Sequence, residues 1–126
     1  MKRKVLIVDD EEDLTFFVKA NLELSGEYQV LIANSGKEGI KAAERYKPDV
    51  ILLDIMMPHI DGFETLKRLK KSTLTLSIPV IMLSAKGDED SKIQAACSYN
   101  DDYVVKPVEV ESLKAKITEV LSRKGQ

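Results

Sequence analysis

The sequence has almost no cysteine and no long apolar run, so it lacks the features that build disulfide frameworks and membrane spans. Its 126 residues include one cysteine, Cys97, and no tryptophan. A single cysteine excludes an internal disulfide and is typical of proteins in a reducing cytoplasm, where we expect this one to reside. No apolar run approaches the roughly 20 residues of a membrane-spanning helix, and the basic start of the chain lacks the apolar core of a signal peptide.

The chain also lacks a strong net charge and any sign of internal division. The net charge is −2, which predicts no general attraction to nucleic acid or to an anionic membrane. No repeat, low-complexity tract or flexible linker interrupts the sequence. With 44% hydrophobic and 32% charged residues, residues 1–126 have the length and composition of a single globular domain.

The sequence does contain five short apolar runs that alternate with segments of helical periodicity. The runs cover residues 5–8, 28–33, 50–53, 79–83 and 103–105. The alternation predicts an α/β fold with a doubly wound parallel sheet and helices on both faces, because parallel strands need crossover connections. We predict the second helix over residues 37–46 and the fourth over 88–98. The residues predicted to face inward are Leu14, Phe17, Val18, Asn21 and Leu22 in the first helix, Ile40 and Ala43 in the second, Phe63, Leu66 and Leu69 in the third, Ile93, Ala96 and Cys97 in the fourth, and Leu113, Ile117, Val120 and Leu121 in the fifth.

Polar side chains follow four of the five runs at the point where each predicted strand ends. They are Asp9 and Asp10 after the first run, Asp54 after the third, Ser84 after the fourth and Lys106 after the fifth. In an open parallel sheet the carboxyl ends of the strands form the edge at which ligands bind. The second run ends in a plain turn, and we expect it to lie at the outer edge of the sheet.

Five consecutive acids, residues 9–13, follow the first run. Helix dipole and capping account for most of them, because acids suit the first turn of a helix and Asp9 or Asp10 could accept its free amides. Two adjacent carboxylates about 4 Å apart near a surface repel each other by roughly 4 kcal/mol, however. One cap needs one acid, so the second predicts a bound cation.

Three carboxylates, one hydroxyl and one ammonium at this edge predict magnesium-assisted phosphoryl chemistry. The set does not match a hydrolase triad, because no suitable histidine accompanies it. Magnesium favours one or two carboxylates, water and phosphate oxygens. If Asp54 attacks a phosphoryl group, a cation held by Asp10, and by Asp9 through water, screens the charges. Lys106 would supply the second positive charge and Ser84 a hydrogen bond.

Four segments carry a resemblance to a known family: VDDEED, PDVILLDIMMPHIDGFE, IPVIMLSAKGDEDSK and DDYVVKP. In this order and at these separations, over residues 5 to about 121, they resemble the receiver domain of bacterial two-component response regulators. The resemblance implies a flavodoxin-like sheet in the order 2-1-3-4-5 with five helices. It also implies a phosphoacceptor signalling switch that catalyses only its own phosphorylation and dephosphorylation, rather than an enzyme acting on a metabolite.

The resemblance assigns a role to each matching residue. Asp54 would accept the phosphoryl group, and Mg²⁺, with Mn²⁺ as a substitute, would be held by Asp9, Asp10, Asp54 and the backbone carbonyl of Met56. Ser84 and Tyr103 would be the switch residues that move toward the phosphoryl group. Lys106 would pair with it and precede a cis peptide to Pro107, and Met56 and Lys86 would tune its lifetime.

One segment departs from the family pattern. Tyr99 and Asn100 stand where the family usually has Gly-Ala before Asp-Asp-Tyr. Tyrosine is disfavoured in the left-handed conformation that glycine adopts at a helix end, whereas asparagine tolerates it better. We therefore expect the fourth helix to end one residue later, with a changed surface over the fourth helix, fifth strand and fifth helix.

The partners implied by the resemblance are a phosphoryl donor and a reader of the switched surface. The donor would be a sensor histidine kinase or a histidine phosphotransfer protein. The reader would be a downstream effector or a fused output domain, and phosphorylation could also produce a homodimer. No direct contact with nucleic acid or membrane is expected from this domain.

The residues leave several alternatives open. The chain could be a stand-alone phosphorelay intermediate or a receiver from a longer transcriptional regulator. An aspartyl phosphohydrolase would place a general acid two residues after its nucleophile, where this chain has Met56. A flavin carrier on the same fold would need a phosphate-binding first loop, which Asp9 and Asp10 would repel. A receiver-shaped module that is never phosphorylated is the last alternative.

Overall fold

Five parallel strands form the centre of the molecule. A computed structural model describes residues 2–85 and 90–124, and residue 124 is described by its backbone alone. The strands are hydrogen-bonded in the order β2-β1-β3-β4-β5, which confirms the predicted sheet and places the second strand at an edge. Their bounds are β1 (Arg3–Val8), β2 (Tyr28–Ala33), β3 (Val50–Asp54), β4 (Val80–Ser84) and β5 (Asp102–Val105).

Helices alternate with the strands, as the periodicity predicts. They are α1 (Glu12–Glu23), α2 (Gly36–Tyr46), α3 (Gly62–Lys71), α4 (Asp90–Ala96) and α5 (Val110–Lys124). None of the helices in the described ranges is both long and apolar enough to span a membrane.

The sheet separates two apolar layers. Strands β1, β3 and β4 are buried on both faces, which is why their sequences are continuous apolar runs. Neighbouring residues of a strand point to opposite faces, so Leu6 and Val8 pack in the layer of α2, α3 and α4, whereas Val5 and Ile7 pack in the layer of α1 and α5. In α4 Ile93 is fully buried and Ala96 packs partly buried against the first layer, as does Cys97 just after the helix.

Helices α2 and α3 begin where the capping residues predict. Ser35 precedes α2 and its hydroxyl accepts a hydrogen bond from the backbone N–H of Glu38 at 3.2 Å. Asp61 precedes α3 and its carboxylate accepts one from the N–H of Glu64 at 2.9 Å. Each cap satisfies an amide that has no partner within its helix.

Helix α1 differs from the prediction at its start and on one face. Its N-cap is Glu11, which makes no side-chain capping bond, so the expected cap by Asp9 or Asp10 is wrong. Instead Asp9 Oδ1 accepts the N–H of Glu11 at 2.9 Å, just before the helix. Phe17, predicted to face inward, is 44% exposed. Thr15, Val18 and Leu22 cover the sheet, a narrower stripe that leaves Phe17 at its rim.

The end of α4 also corrects the sequence analysis. The predicted start at residue 88 lies outside the described residues, but the helix ends at Ala96 rather than later. Neither Tyr99 nor Asn100 has a positive φ. The cause is a turn in which Ser98 donates to the Asp101 carboxylate from its N–H at 3.0 Å and its hydroxyl at 2.9 Å. An aspartate that accepts local donors offers the backbone an alternative to further helix.

The same Asp101 carboxylate ties three elements together at the amino-terminal edge of the sheet. It is buried, and its Oδ1 accepts the N–H of Val80 at the start of β4 at 2.8 Å. The ammonium of Lys70, in the last turn of α3, donates to the same oxygen at 2.9 Å. With the two donors of Ser98, this carboxylate receives four hydrogen bonds.

Candidate functional site

The carboxyl-terminal edge of the sheet brings together the side chains that the sequence places after the strands. Asp9 follows β1, Asp54 ends β3, Ser84 ends β4 and Lys106 follows β5. These four strands are neighbours in the sheet, and the parallel register aligns their ends. Asp9, Asp54 and Ser84 are at most 4% exposed, so the site lies in a crevice rather than on a flat surface.

The Lys106 ammonium lies at the centre of the acids. Its Nζ is 3.1 Å from Asp9 Oδ2, 2.9 Å from Glu11 Oε1 and 3.2 Å from Asp54 Oδ1. The side chains of Asp9 and Asp54 are 0% and 6% exposed, whereas that of Glu11 is 63% exposed. One cation therefore serves two buried carboxylates and one exposed carboxylate.

Three carboxylates lie close enough to share a metal ion. One oxygen each from Asp9, Glu11 and Asp54 lies within 4.8 Å of the others. Asp10 is exposed and is not part of this group, although its charge acts on Asp54. The sequence assigns Glu11 to the helix dipole and does not predict its contact with Lys106. The only signal for that contact is that Glu11 directly follows Asp9 and Asp10 in the chain.

The donor chemistry of the crevice fits magnesium. Carboxylate oxygens are the hard ligands that Mg²⁺ accepts, and the buried acids hold more negative charge than Lys106 neutralises. Met56, whose backbone carbonyl is the fourth predicted ligand, follows the end of β3 by two residues and is 68% exposed.

The crevice disfavours the charged form of Asp54 compared with water. Burial, followed by the charge of Asp9, raises the pKa of Asp54 to about 6, against the opposing effect of Lys106. For Lys106, burial alone would lower the pKa, but the hydrogen bond to Glu11 and the charges of Asp9 and Asp54 hold it above its ordinary value. A second cation would relieve the repulsion that raises the pKa of Asp54.

The remaining predicted residues lie around this centre. The Ser84 hydroxyl is buried and donates a 3.4 Å hydrogen bond to the carbonyl of Val104. Tyr103 is partly buried against the layer of α2, α3 and α4. The Lys106–Pro107 peptide is cis, as the resemblance implies. Lys86 lies outside the described residues.

Gly62 lies directly against the backbone at the end of β3. The N–H of Gly62 donates to the carbonyl of Ile55 at 2.7 Å. A Cβ at position 62 would collide with the backbone carbonyl oxygen of Asp54 and lie 2.6 Å from Ile55 Cα. Only glycine allows the start of α3 to lie this close to the end of β3.

Comparison with known proteins assigns this fold and site to a family. The family described as the response regulator receiver domain matches residues 5–118. The chain is 41% identical over 123 residues to the alkaline phosphatase synthesis transcriptional regulatory protein PhoP of Bacillus subtilis, covering 98% of this chain and 50% of that protein. It is 40% identical over 119 residues to protein PilH of Pseudomonas aeruginosa, covering 94% and 98%. The structure of chemotaxis protein CheY4 from Vibrio cholerae superposes with a TM-score of 0.85 at 30% identity, covering 95% and 99%.

The chain belongs to the response regulator receiver domain family. Receiver domains are signalling switches of two-component systems rather than classical enzymes, and they interact with histidine kinases and output domains. The chain spans about half the length of PhoP, the transcriptional regulator above. Its acidic cluster is consistent with a phosphoacceptor site.

Proposed function

We propose that the chain is a phosphorylation switch in which Asp54 accepts a phosphoryl group from a phosphohistidine of a sensor kinase or phosphotransfer protein. A carboxylate oxygen of Asp54 forms a bond to phosphorus while the phosphorus–nitrogen bond of the donor breaks. The electron pair stays on the imidazole, which takes up a proton. The position of Asp54 at the end of β3, beside Lys106 and two further acids, is the observation that carries this proposal.

The neighbours of Asp54 have separate roles in this transfer. Lys106 pairs first with the carboxylate and then with a phosphoryl oxygen, and Ser84 donates its hydroxyl to another phosphoryl oxygen after leaving Val104. Asp9, Asp10, Asp54 and the carbonyl of Met56 would hold Mg²⁺, or Mn²⁺ in its place. The cation would supply charge neutralisation at the reacting oxygens.

The charge of Asp54 sets the pH range of the reaction. Only the deprotonated carboxylate attacks, and burial and Asp9 raise its pKa to about 6. The nucleophile is therefore ionised at neutral pH, and a bound cation extends that range downward.

The output follows from movement of Ser84 and Tyr103. When the Ser84 hydroxyl turns to the phosphoryl group, Tyr103 moves further into the layer that it already touches. The surface of α4, β5 and α5 changes, and an effector, a fused output domain or a second copy of the chain recognises it. The domain would occupy residues 1–126 and act in the cytoplasm, either alone as a relay or within a longer regulator.

Intact-mass measurement tests the acceptor. The full chain incubated with acetyl phosphate and magnesium should gain one phosphoryl group, and omission of magnesium should suppress the gain. Asp54→Ala should abolish it. Glu64→Gln, at an exposed acid of α3 paired with Arg68, is the control that should label normally. Undiminished labelling of Asp54→Ala would refute the assignment.

A further inference from the structure

The Lys106 ammonium already faces three carboxylates in the unphosphorylated crevice. An ammonium group carries three N–H donors. Three carboxylates surround it, with Asp9 and Glu11 in hydrogen-bond geometry and Asp54 Oδ1 at 3.2 Å. The contact with Asp54 passes to the phosphoryl group on transfer, but a further bond from Lys106 to a phosphoryl oxygen requires that Asp9 or Glu11 release the ammonium.

The three carboxylates differ in how easily they can leave. Asp9 is 0% exposed, and its other oxygen is held by the N–H of Glu11, so its departure would strand a buried charge. Asp54 carries the phosphoryl group and stays in place. Glu11 has the longest side chain of the three and is 63% exposed, so water replaces Lys106 around it at little cost.

We propose that Glu11 holds, in the resting protein, the place on Lys106 that a phosphoryl oxygen takes after transfer. Glu11 is then a positioning residue that acts through Lys106, and its release is part of the phosphorylation of Asp54. The proposal rests on the function proposed above and adds a residue that opposes the reaction. The strength of the Glu11–Lys106 ion pair then sets how readily Asp54 is phosphorylated.

The local structure separates Glu11 from the acids that serve the helix. Glu12 and Asp13 occupy the first turn of α1, where they suit its dipole. Glu11 stands at the N-cap position, yet its side chain makes no capping bond and reaches Lys106, 95 positions away in the sequence, at 2.9 Å. An acid that only stabilised the helix dipole would have no reason to contact Lys106.

Rates of phosphorylation by acetyl phosphate and magnesium, followed by intact mass on the full chain, test the proposal. Glu11→Gln should label about 1.5- to 5-fold faster than the wild type, the range that an exposed ion pair supplies. Glu11→Asp keeps the charge but shortens the side chain by one methylene, which weakens its contact with Nζ, and it should also label faster. Glu12→Gln removes a charge from the neighbouring residue and should match the wild type.

A second measurement needs neither phosphate nor magnesium. Exchange of the Lys106 ammonium hydrogens with water, observed by nitrogen NMR, should accelerate in both Glu11 variants and remain unchanged in Glu12→Gln. Faster exchange identifies the loss of the Glu11 contact itself rather than a general effect on folding.

The outcomes separate this proposal from the proposed function. If the wild type takes up no phosphoryl group, the proposed function fails and this inference fails with it. If the wild type is labelled but Glu11→Gln is equal or slower, only the inference is overturned. A faster Glu11→Gln together with a Glu11→Asp that matches the wild type would assign the effect to net charge and also overturn it.

Discussion

Two buried carboxylates at opposite edges of the same sheet have opposite environments. Asp101, at the amino-terminal edge, is 5% exposed and receives hydrogen bonds from Ser98, Val80 and Lys70. Asp54, at the carboxyl-terminal edge, is 4% exposed, lies beside other acids and shares the ammonium of Lys106 with them.

The difference shows that one fold places the same functional group in a compensated and in an uncompensated environment. A buried carboxylate with its own cation and backbone donors is compensated for the loss of water. A buried carboxylate that competes with neighbours for one cation is left with an excess of negative charge. Burial, followed by the charge of Asp9, raises the pKa of Asp54, and the excess of negative charge makes an incoming cation favourable.

The largest effect should come from removing the compensated carboxylate. Asp101→Ala leaves the N–H groups of Val80 and Ser98 without their acceptor and Lys70 without its counter-charge. We expect a loss of about 3 to 5 kcal/mol in the free energy of unfolding, measured by urea denaturation. Glu64→Gln, which removes an exposed helix pair, is the control and should cost less than about 0.5 kcal/mol. If both variants lost the same free energy of unfolding, the special role of the buried Asp101 carboxylate would be contradicted.

Removing the uncompensated charge should have the opposite sign. The pKa of Asp54 is raised from 3.8 to about 6 in the folded protein, so its ionisation opposes folding by up to about 3 kcal/mol above pH 6. Without magnesium, Asp54→Asn should therefore be more stable than the wild type at pH 7.5, by thermal or urea unfolding.

The pH dependence of that gain provides its control. As the pH falls from 6 to 4, the folded wild type takes up the proton at Asp54 that the unfolded chain binds only at lower pH, so the gain of Asp54→Asn should disappear. A gain that is constant with pH, or a variant that is less stable at pH 7.5, would show that the crevice is already compensated.

The smallest effect should come from removing one donor of Asp101. Ser98→Ala deletes the hydroxyl that donates at 2.9 Å and retains the backbone N–H of the same residue. We expect a loss of about 1 kcal/mol in the free energy of unfolding and no change in phosphorylation of Asp54. If Ser98→Ala changed the phosphorylation of Asp54 but not the free energy of unfolding, the expectation that the two sheet edges act separately would be wrong.

Local pattern predicts the strands and the sheet edge at which their polar side chains meet, whereas the strand order follows from the family resemblance. Continuous apolar runs identify the strands, and Ser35 and Asp61 identify two helix starts through the amides they cap. Parallel strands bring their carboxyl ends to one edge, so Asp54 and Lys106 could be placed together before any coordinate was known.

Local sequence pattern does not predict features that depend on contacts between residues distant in the chain. Glu11 reaches Lys106 across the sheet edge, and no local pattern distinguishes it from the helix acids that follow it. The end of α4 depends on Asp101, whose donors come from three different elements. The exposure of Phe17 depends on how α1 is rotated against the sheet, which periodicity fixes only within a residue or two.

The contact of Gly62 with the end of β3 has a consequence for how the crevice keeps its shape. Main chain rests directly on main chain there, and a methyl group would have no rotamer that avoids the strand. The main chain that carries Asp54 is thus located by two backbone segments that cannot repack, whereas in the proposed switch the side chains of Lys106 and Ser84 would exchange partners. The backbone would then fix the position of Asp54, and only the side chains of Lys106 and Ser84 would move.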